Sequence, residues 1–312
     1  LSKDRYPYVE VVREFQDLLT EDIDLVVIST PNAFHYAMAK QAIEAGKNVV
    51  VEKPMAITSQ EGKALCDLAK EKNVIFTVYQ NRRLDGDFLT VKHIIDKGIL
   101  GNILDLEIHY DRYVLEDSQK LWKAQGGKGV NILYDLGVHI IDQAYVLFGK
   151  PKEVYADFRK QREGQATFDC IEVILYYEHV KVNVFAGEQV AKHGPRYKLN
   201  GSMGSFTKYG LDVQEEALIA GHKPVGDSWG MEKPETYGTL YYRENQTSPT
   251  DLEWIETVVP TLKGNYGTFY DNLYAVLTQG AELLVKPEEA AAVLEILEAA
   301  EKSNLDQRRI TL

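Results

Sequence analysis

The sequence predicts an α/β protein in two parts. A doubly wound parallel sheet comes first, and an α+β domain with a large, mostly antiparallel sheet follows. Two short, continuous apolar runs, Leu25-Val26-Val27-Ile28 and Val49-Val50-Val51, are separated by helix-length segments within residues 24–79. Such runs suit parallel strands covered on both faces, and strands alternating with helices of about a dozen residues describe right-handed βαβ units. From Glu153 onward strand-like segments follow one another with tight connections, which is the pattern of antiparallel pairing. A chain of 312 residues is long enough for two domains. The boundary falls near residues 80–83, dividing 1–81 from 82–312.

In chain order, residues 9–12 read as a short strand, and residues 13–20 carry Phe15, Leu18 and Leu19 at helical spacing. A strand over 24–30 ends at Thr30-Pro31. A helix over about 33–45 stops at Gly46, a natural C-terminal cap. The strand of Val49 to Val51 runs into Glu52-Lys53-Pro54. Ser59 is expected to cap a helix that runs through Lys72, and residues 74–79 form the next strand. In the second part, helices are expected over 87–97, 131–148, 211–220, 270–279 and 288–302. Strands are expected over 103–113, 154–160, 168–177 and 180–188, in shorter pieces near Tyr197 and Phe206, and over 239–242 and 254–258. Tyr177-Glu178-His179-Val180 looks like a tight hairpin connection, and residues 221–237, rich in Gly and Pro, read as loop.

A formal net charge of −12 argues against a general nucleic-acid surface. The apolar fraction of 45% and charged fraction of 26% are ordinary for a globular protein. No apolar run is long enough to cross a bilayer, and no signal-peptide pattern opens the chain, so a cytoplasmic protein is expected. Two distant cysteines, Cys66 and Cys170, make neither a disulfide framework nor a structural zinc site.

Two stretches carry chemistry. In the first, Pro54 biases Lys53 towards extended geometry at the carboxyl end of a strand, where open α/β sheets bind ligands. In the second, residues 134–142, Asp135 and His139 lie four apart and so share a helix face, with Asp142 three further on roughly the same side. A carboxylate beside an imidazole fixes its tautomer and raises its basicity, as a proton-transferring histidine needs. The same residues also suit a capping aspartate with a satisfied histidine, and spacing alone leaves both readings open. Gly137 implies close approach of another chain or a ligand. A His-Asp-Asp set without a second histidine is a weak metal site, so no metal is expected. Arg82 and Arg83 suit either an anion clamp or an interdomain salt bridge. Arg196, in Gly194-Pro195-Arg196, and Trp229, in Asp227-Ser228-Trp229-Gly230, either line a pocket or pack over the sheet. His35 is expected near a helix start whose free amides face a ligand. The Gly-rich turn and ribose-reading residue of a dinucleotide-binding half are not in this sequence.

Glu52-Lys53-Pro54 followed by Asp135-x-Gly-x-His139-x-x-Asp142 resembles the glucose-fructose oxidoreductase / inositol dehydrogenase / MocA (Gfo/Idh/MocA) family, from about Val9 to the C-terminus. Tyr79-Gln80-Asn81-Arg82-Arg83, Gly194-Pro195-Arg196-Tyr197, Lys208-Tyr209-Gly210 and Asp227-Ser228-Trp229-Gly230 are similar to its NADP-dependent scyllo-inositol 2-dehydrogenase branch. The resemblance implies a Rossmann-type first domain whose opening β-α-β portion lies outside these 312 residues. We expect that portion to precede Leu1, because a Rossmann sheet without its central strand leaves apolar edges exposed.

The resemblance further implies an NAD(P)-dependent dehydrogenase acting on a secondary alcohol of a cyclitol or sugar, with NADP expected and NAD the alternative. Lys53 is then expected near the nicotinamide and the reacting hydroxyl, with His139 as general base and Asp135 orienting His139 or Lys53. Thr30, Pro31, Asn32, His35, Glu52 and Gln80 are expected at the cofactor. Asn81, Arg82, Asp142, Arg196 and Trp229 are expected at the substrate. A homodimer or homotetramer is expected from the apolar, Tyr-rich second sheet, with Trp254, Tyr241 and Tyr242 on the pairing face. The alternative is a non-catalytic sensor or regulatory protein that keeps the fold.

Overall fold

The structure is a computed structural model and describes residues 6–115, 127–243 and 253–312. Its first unit holds three parallel strands, β1 (Leu25–Ile28), β2 (Asn48–Glu52) and β3 (Phe76–Tyr79), in the order β1-β2-β3. Val49, Val50 and Val51 sit at 0–1% exposure between both neighbours, as a continuous apolar run in a central parallel strand requires. The helices His35–Glu44 and Ser59–Lys72 make the crossovers. The cap of the second is Thr58, one residue before the expected Ser59. Its side chain accepts from Glu61 N, and Glu61 reaches back to Thr58 N, which satisfies two orphan amides at once. Ser59 is instead the first helical residue and bonds Glu298.

The second unit is a nine-stranded sheet in the order β11-β10-β9-β8-β4-β7-β6-β5-β12. Its members are β4 (Ile103–Asp111), β5 (Glu153–Arg159), β6 (Cys170–Tyr176), β7 (Lys181–Gly187), β8 (Tyr197–Gly201), β9 (Gly204–Lys208), β10 (Gly238–Tyr242), β11 (Ile255–Val259) and β12 (Ile310–Thr311). Every pairing is antiparallel except β4 with β7. Strict alternation puts Leu106, Ile108 and Tyr110 of β4 on the helix-covered face and Glu107 and His109 on the other. Tyr177 and Val180 close the expected hairpin, with Tyr177 N donating to Val180 O at 2.9 Å.

Three expectations are corrected. Residues 9–12 form no strand: Val9 and Val11 are exposed, and no described strand pairs with them. The helical spacing over 13–20 yields only a 3-10 turn, Phe15–Leu18, which buries none of its residues and so gains little from packing. The long helix over 131–148 is broken into a π-helical turn, Leu133–Gly137, and an α-helix, Val138–Phe148. Gly137 lies at this junction. A methyl group there would stand 2.7 Å from Ile171 Cδ1, so the close approach comes from a side chain of the second sheet.

The chain's last long helix, Pro287–Asp306, packs between the two units, against Ser59–Lys72 on one side and against β5 and Val138–Phe148 on the other. Its carboxylates reach both. Glu288 pairs with Lys70, Glu289 with Arg83, Glu295 with Lys150, Glu298 with Ser59, and Glu301 accepts from the Tyr134 hydroxyl. Thr77 of β3 likewise donates to Val285 O at 2.7 Å. One continuous apolar core therefore runs from Val26 to Ile310. No described helix is long and apolar enough to cross a membrane.

Candidate active site

The carboxyl end of the parallel sheet is built from its strand ends upward. β2 delivers Glu52 and Lys53, and the peptide between Lys53 and Pro54 is cis. Glu52 Oε2 accepts from Lys53 N at 3.3 Å, and burial raises the Glu52 carboxyl above its ordinary range. Thr30 and Pro31 follow β1. Asn32 donates to Gly129 O at 2.9 Å, which ties this loop to the second unit. His35 is fully buried, and its ring bridges two carbonyls, Pro54 O at 2.7 Å from Nδ1 and Thr30 O at 2.8 Å from Nε2. The side chain thereby ties the loop after β1 to the turn after β2. Burial lowers its pKa, and the two carbonyls oppose that shift.

The other wall comes from the π-helical turn. A π turn displaces side chains from α-helical register, and such turns recur at functional sites. Here it aims Asp135 at Lys53, whose Nζ donates to Asp135 O at 2.6 Å and to Asp135 Oδ1 at 3.3 Å. Of the two partners open to Asp135, the structure joins it to Lys53. His139 lies one turn on, at 6% exposure, and its Nδ1 has no hydrogen-bond partner among the described residues. Burial holds its pKa well below the ordinary imidazole value, helped by the positive charges of Lys53, Arg82, Arg196 and Arg112 in that order. A neutral imidazole, ready to accept a proton, is the result.

Beneath this pair lies a buried charged layer. Arg82 pairs with Asp85 at 3.3 Å and with Glu215. Arg83 grips both oxygens of Asp142 at 2.7 and 2.8 Å. Arg196 bonds His109 O at 2.5 Å and approaches Asp87 at 3.4 Å. Arg82, Asp142 and Arg196 are thus members of internal ion pairs, because a charge at under 5% exposure needs a counter-charge. Trp229 donates to Gln214 Oε1 at 3.3 Å, and the half-buried Asn81 opens a 3-10 turn whose other residues are buried.

Sequence reasoning missed Tyr110, Arg112 and Glu215. Tyr110 is buried under three guanidiniums, Arg82, Arg112 and Arg196, each 4.9–5.0 Å from its ring centre. Tyr110 and Arg112 share the parity of the buried Leu106 and Ile108, a signal that could have found these two, whereas nothing local points to Glu215. Among the described residues no group of three His, Cys, Asp or Glu is arranged to hold a metal.

At this edge three further buried polar atoms lack a described partner, Thr30 Oγ1, Gln80 Oε1 and Arg82 Nε. Buried donors and acceptors are nearly always satisfied, so their grouping with His139 Nδ1 marks where a polar ligand belongs. A nicotinamide cofactor lying across the carboxyl ends of parallel strands fits Thr30 Oγ1 and Gln80 Oε1.

Two family models match the chain. Residues 4–80 match the Gfo/Idh/MocA oxidoreductase family's NAD-binding Rossmann fold, and residues 92–312 match its C-terminal alpha/beta domain. The scyllo-inositol 2-dehydrogenase (NADP(+)) IolW of Bacillus subtilis is 41% identical over 308 residues, spanning 98% of this chain and 84% of that protein. The solved structure of YvaA from Bacillus subtilis superposes with a TM-score of 0.94 at 41% identity, over 100% of this chain and 87% of that one. An oxidoreductase from Bacillus cereus gives a TM-score of 0.90 at 36% identity, over 99% and 87%.

Proposed function

This chain belongs to the Gfo/Idh/MocA oxidoreductase family, and from that membership we propose that it oxidises a ring hydroxyl of a cyclitol or sugar with NADP. It is an NAD(P)-dependent dehydrogenase acting on CH-OH groups. The reading is supported by one observation: a buried His139 whose Nδ1 has no described partner, on the same edge as a Lys53 that Asp135 holds in place. The choice of NADP and of a cyclitol follows the IolW relative, whose name carries both.

When bound, the cofactor supplies the hydride acceptor. The chain's own residues handle the proton and the charge. His139 takes the hydroxyl proton as the C–H bond breaks, and returns it when a ketone is reduced. Lys53 donates to the same oxygen and stabilises the negative charge that grows there. Asp135 holds the Lys53 ammonium in place. Thr30 Oγ1 and Gln80 Oε1 are the groups we assign to the cofactor, and the half-buried Asn81 to the substrate side.

The test is reduction of NADP, followed at the reduced-nicotinamide absorbance, across a panel of inositols and sugars, with NAD as the comparison. Oxidation needs neutral His139, and its pKa is lowered. The oxidation kcat/KM therefore stays level from neutral pH down past about 6.5, the ordinary imidazole value, and declines only below it. An acid limb centred above that value would contradict the assignment. The same sign governs folding. A buried imidazole with a lowered pKa gives stability that is complete above about pH 6.5 and falls as acid is added below it.

Self-association as a homodimer or homotetramer is part of the proposal. Tyr241 and Trp254 stack at 4.8 Å, 8° from parallel, yet both stay about two-fifths exposed on the β10–β11 side of the second sheet. Light scattering should give at least twice the chain mass; a strict monomer at micromolar concentration removes this element.

A further inference from the structure

Four cations act on His139, and they are not equivalent. Lys53 has a carboxylate oxygen at 3.3 Å, Arg82 has Asp85 at 3.3 Å, and Arg196 has Asp87 at 3.4 Å. Among the described residues Arg112 has no carboxylate oxygen closer than Glu215 Oε2 at 4.0 Å, an oxygen that Arg82 already holds. Its only side-chain hydrogen bond among the described residues runs from Nη2 to the Tyr110 hydroxyl at 3.3 Å. The guanidinium is about one-third exposed. Its backbone, by contrast, is locked on both sides: Arg112 N donates to Gly187 O, and Arg112 O accepts from Val190 N, each at 2.9 Å. Arg112 follows β4 directly, and its guanidinium lies 5.0 Å from the centre of the Tyr110 ring, beside Arg82 on the same ring.

Glu215 is its complement. Oε2 is occupied by Arg82 and accepts from the Tyr110 hydroxyl at 3.4 Å, whereas Oε1 takes no hydrogen bond among the described residues. The side chain is 42% exposed. A fixed guanidinium with spare donors therefore stands beside a fixed carboxylate with a spare acceptor, next to the proposed base. Phosphate recognition gathers several cations, but three of the four here are already neutralised. Vicinal hydroxyls, each both donor and acceptor, match a donor–acceptor pair.

We propose that Arg112 and Glu215 form the pair that reads the substrate's non-reacting hydroxyls: Arg112 donates to two adjacent hydroxyl oxygens, and Glu215 Oε1 accepts from a third. This rests on the polyol reading above and adds to it the residues that set specificity. Neither residue takes part in proton or hydride transfer. Their contribution is to hold the ring so that one carbon faces the cofactor.

The experiment is steady-state kinetics of the full chain with NADP and the best polyol of the panel, for wild type, Arg112→Ala, Arg112→Lys and Glu215→Gln. Arg112→Ala should raise the polyol KM by about 10–100-fold with kcat within about threefold and the NADP KM unchanged, the split that loss of a substrate hydrogen bond produces. Arg112→Lys should recover only part, since an ammonium cannot bridge two hydroxyls as a planar fork does. Glu215→Gln should raise the polyol KM in the same sense. Because Glu215 also neutralises Arg82, its thermal midpoint is measured alongside, and the Arg112 variants decide the matter if that protein unfolds. An unchanged polyol KM in Arg112→Ala overturns the pair. So does full rescue by lysine together with a displaced acid limb, because Arg112 would then act only as a charge on His139. A wild type that reduces no NADP with any polyol fails earlier and takes down the polyol reading itself.

Discussion

His139→Ala should lower turnover of the oxidation by roughly 10²–10⁴-fold, the range that a positioned acid–base group contributes. The argument starts from burial. The imidazole is almost fully enclosed, Nδ1 has no described partner, and burial together with the surrounding cations disfavours its protonation. A core histidine kept for structure would have its polar atoms satisfied, because an orphaned buried nitrogen costs about 1–3 kcal/mol. The variant should bind NADP with nearly unchanged affinity, since no cofactor contact is assigned to the ring. Fluorescence titration of NADPH separates a lost proton acceptor from a lost binding site. A turnover close to wild type in His139→Ala would sink the assignment.

Lys53→Ala should cost about 10²–10³-fold in kcat, comparable to removal of one donor to a developing oxyanion. Lys53 is fixed by β2 behind it and by Asp135 ahead of it, so its position does not depend on substrate binding. The decisive measurement is the double variant. Lys53 and His139 serve one oxygen, and the two losses should therefore fall well short of multiplying. If the losses multiply fully, the two residues act on separate steps, and the single-oxygen mechanism is wrong. Asp135→Asn should be milder than either, because Asp135 O still accepts from Lys53 after the change.

The strands were legible because burial on both faces writes itself into sequence as Val-Val-Val and Leu-Val-Val-Ile, and most strand boundaries in the structure lie within two residues of the pattern. Lys53 and His139 were legible as candidates because each belongs to a short motif with a fixed local geometry. What eluded the sequence is set by distant partners. The π turn at Leu133–Gly137 has residues that also suit an α-helix, and nothing local announces Ile171 packing on Gly137. Arg83 and Asp142 are 59 residues apart, so their pairing is decided by how the units meet. That Asp142 is half of an internal ion pair is written in no local pattern. Arg112 was passed over for the opposite reason: an arginine near the end of a strand is unremarkable until its neighbours prove to be already paired.

Lys53 rides on the three-stranded sheet, and His139 on a helix that covers the nine-stranded one. The gap between them is therefore a seam, and twenty residues at the far end of the chain act as its splint. Helix Pro287–Asp306 touches Lys70 and Ser59 on one bank and Lys150 and Tyr134 on the other, and Tyr134 immediately precedes Asp135. Slack in this helix widens the spread of distances across the seam. The spacing of Lys53 and His139, the pair proposed for the proton and the charge, is then governed by a helix that carries neither of them.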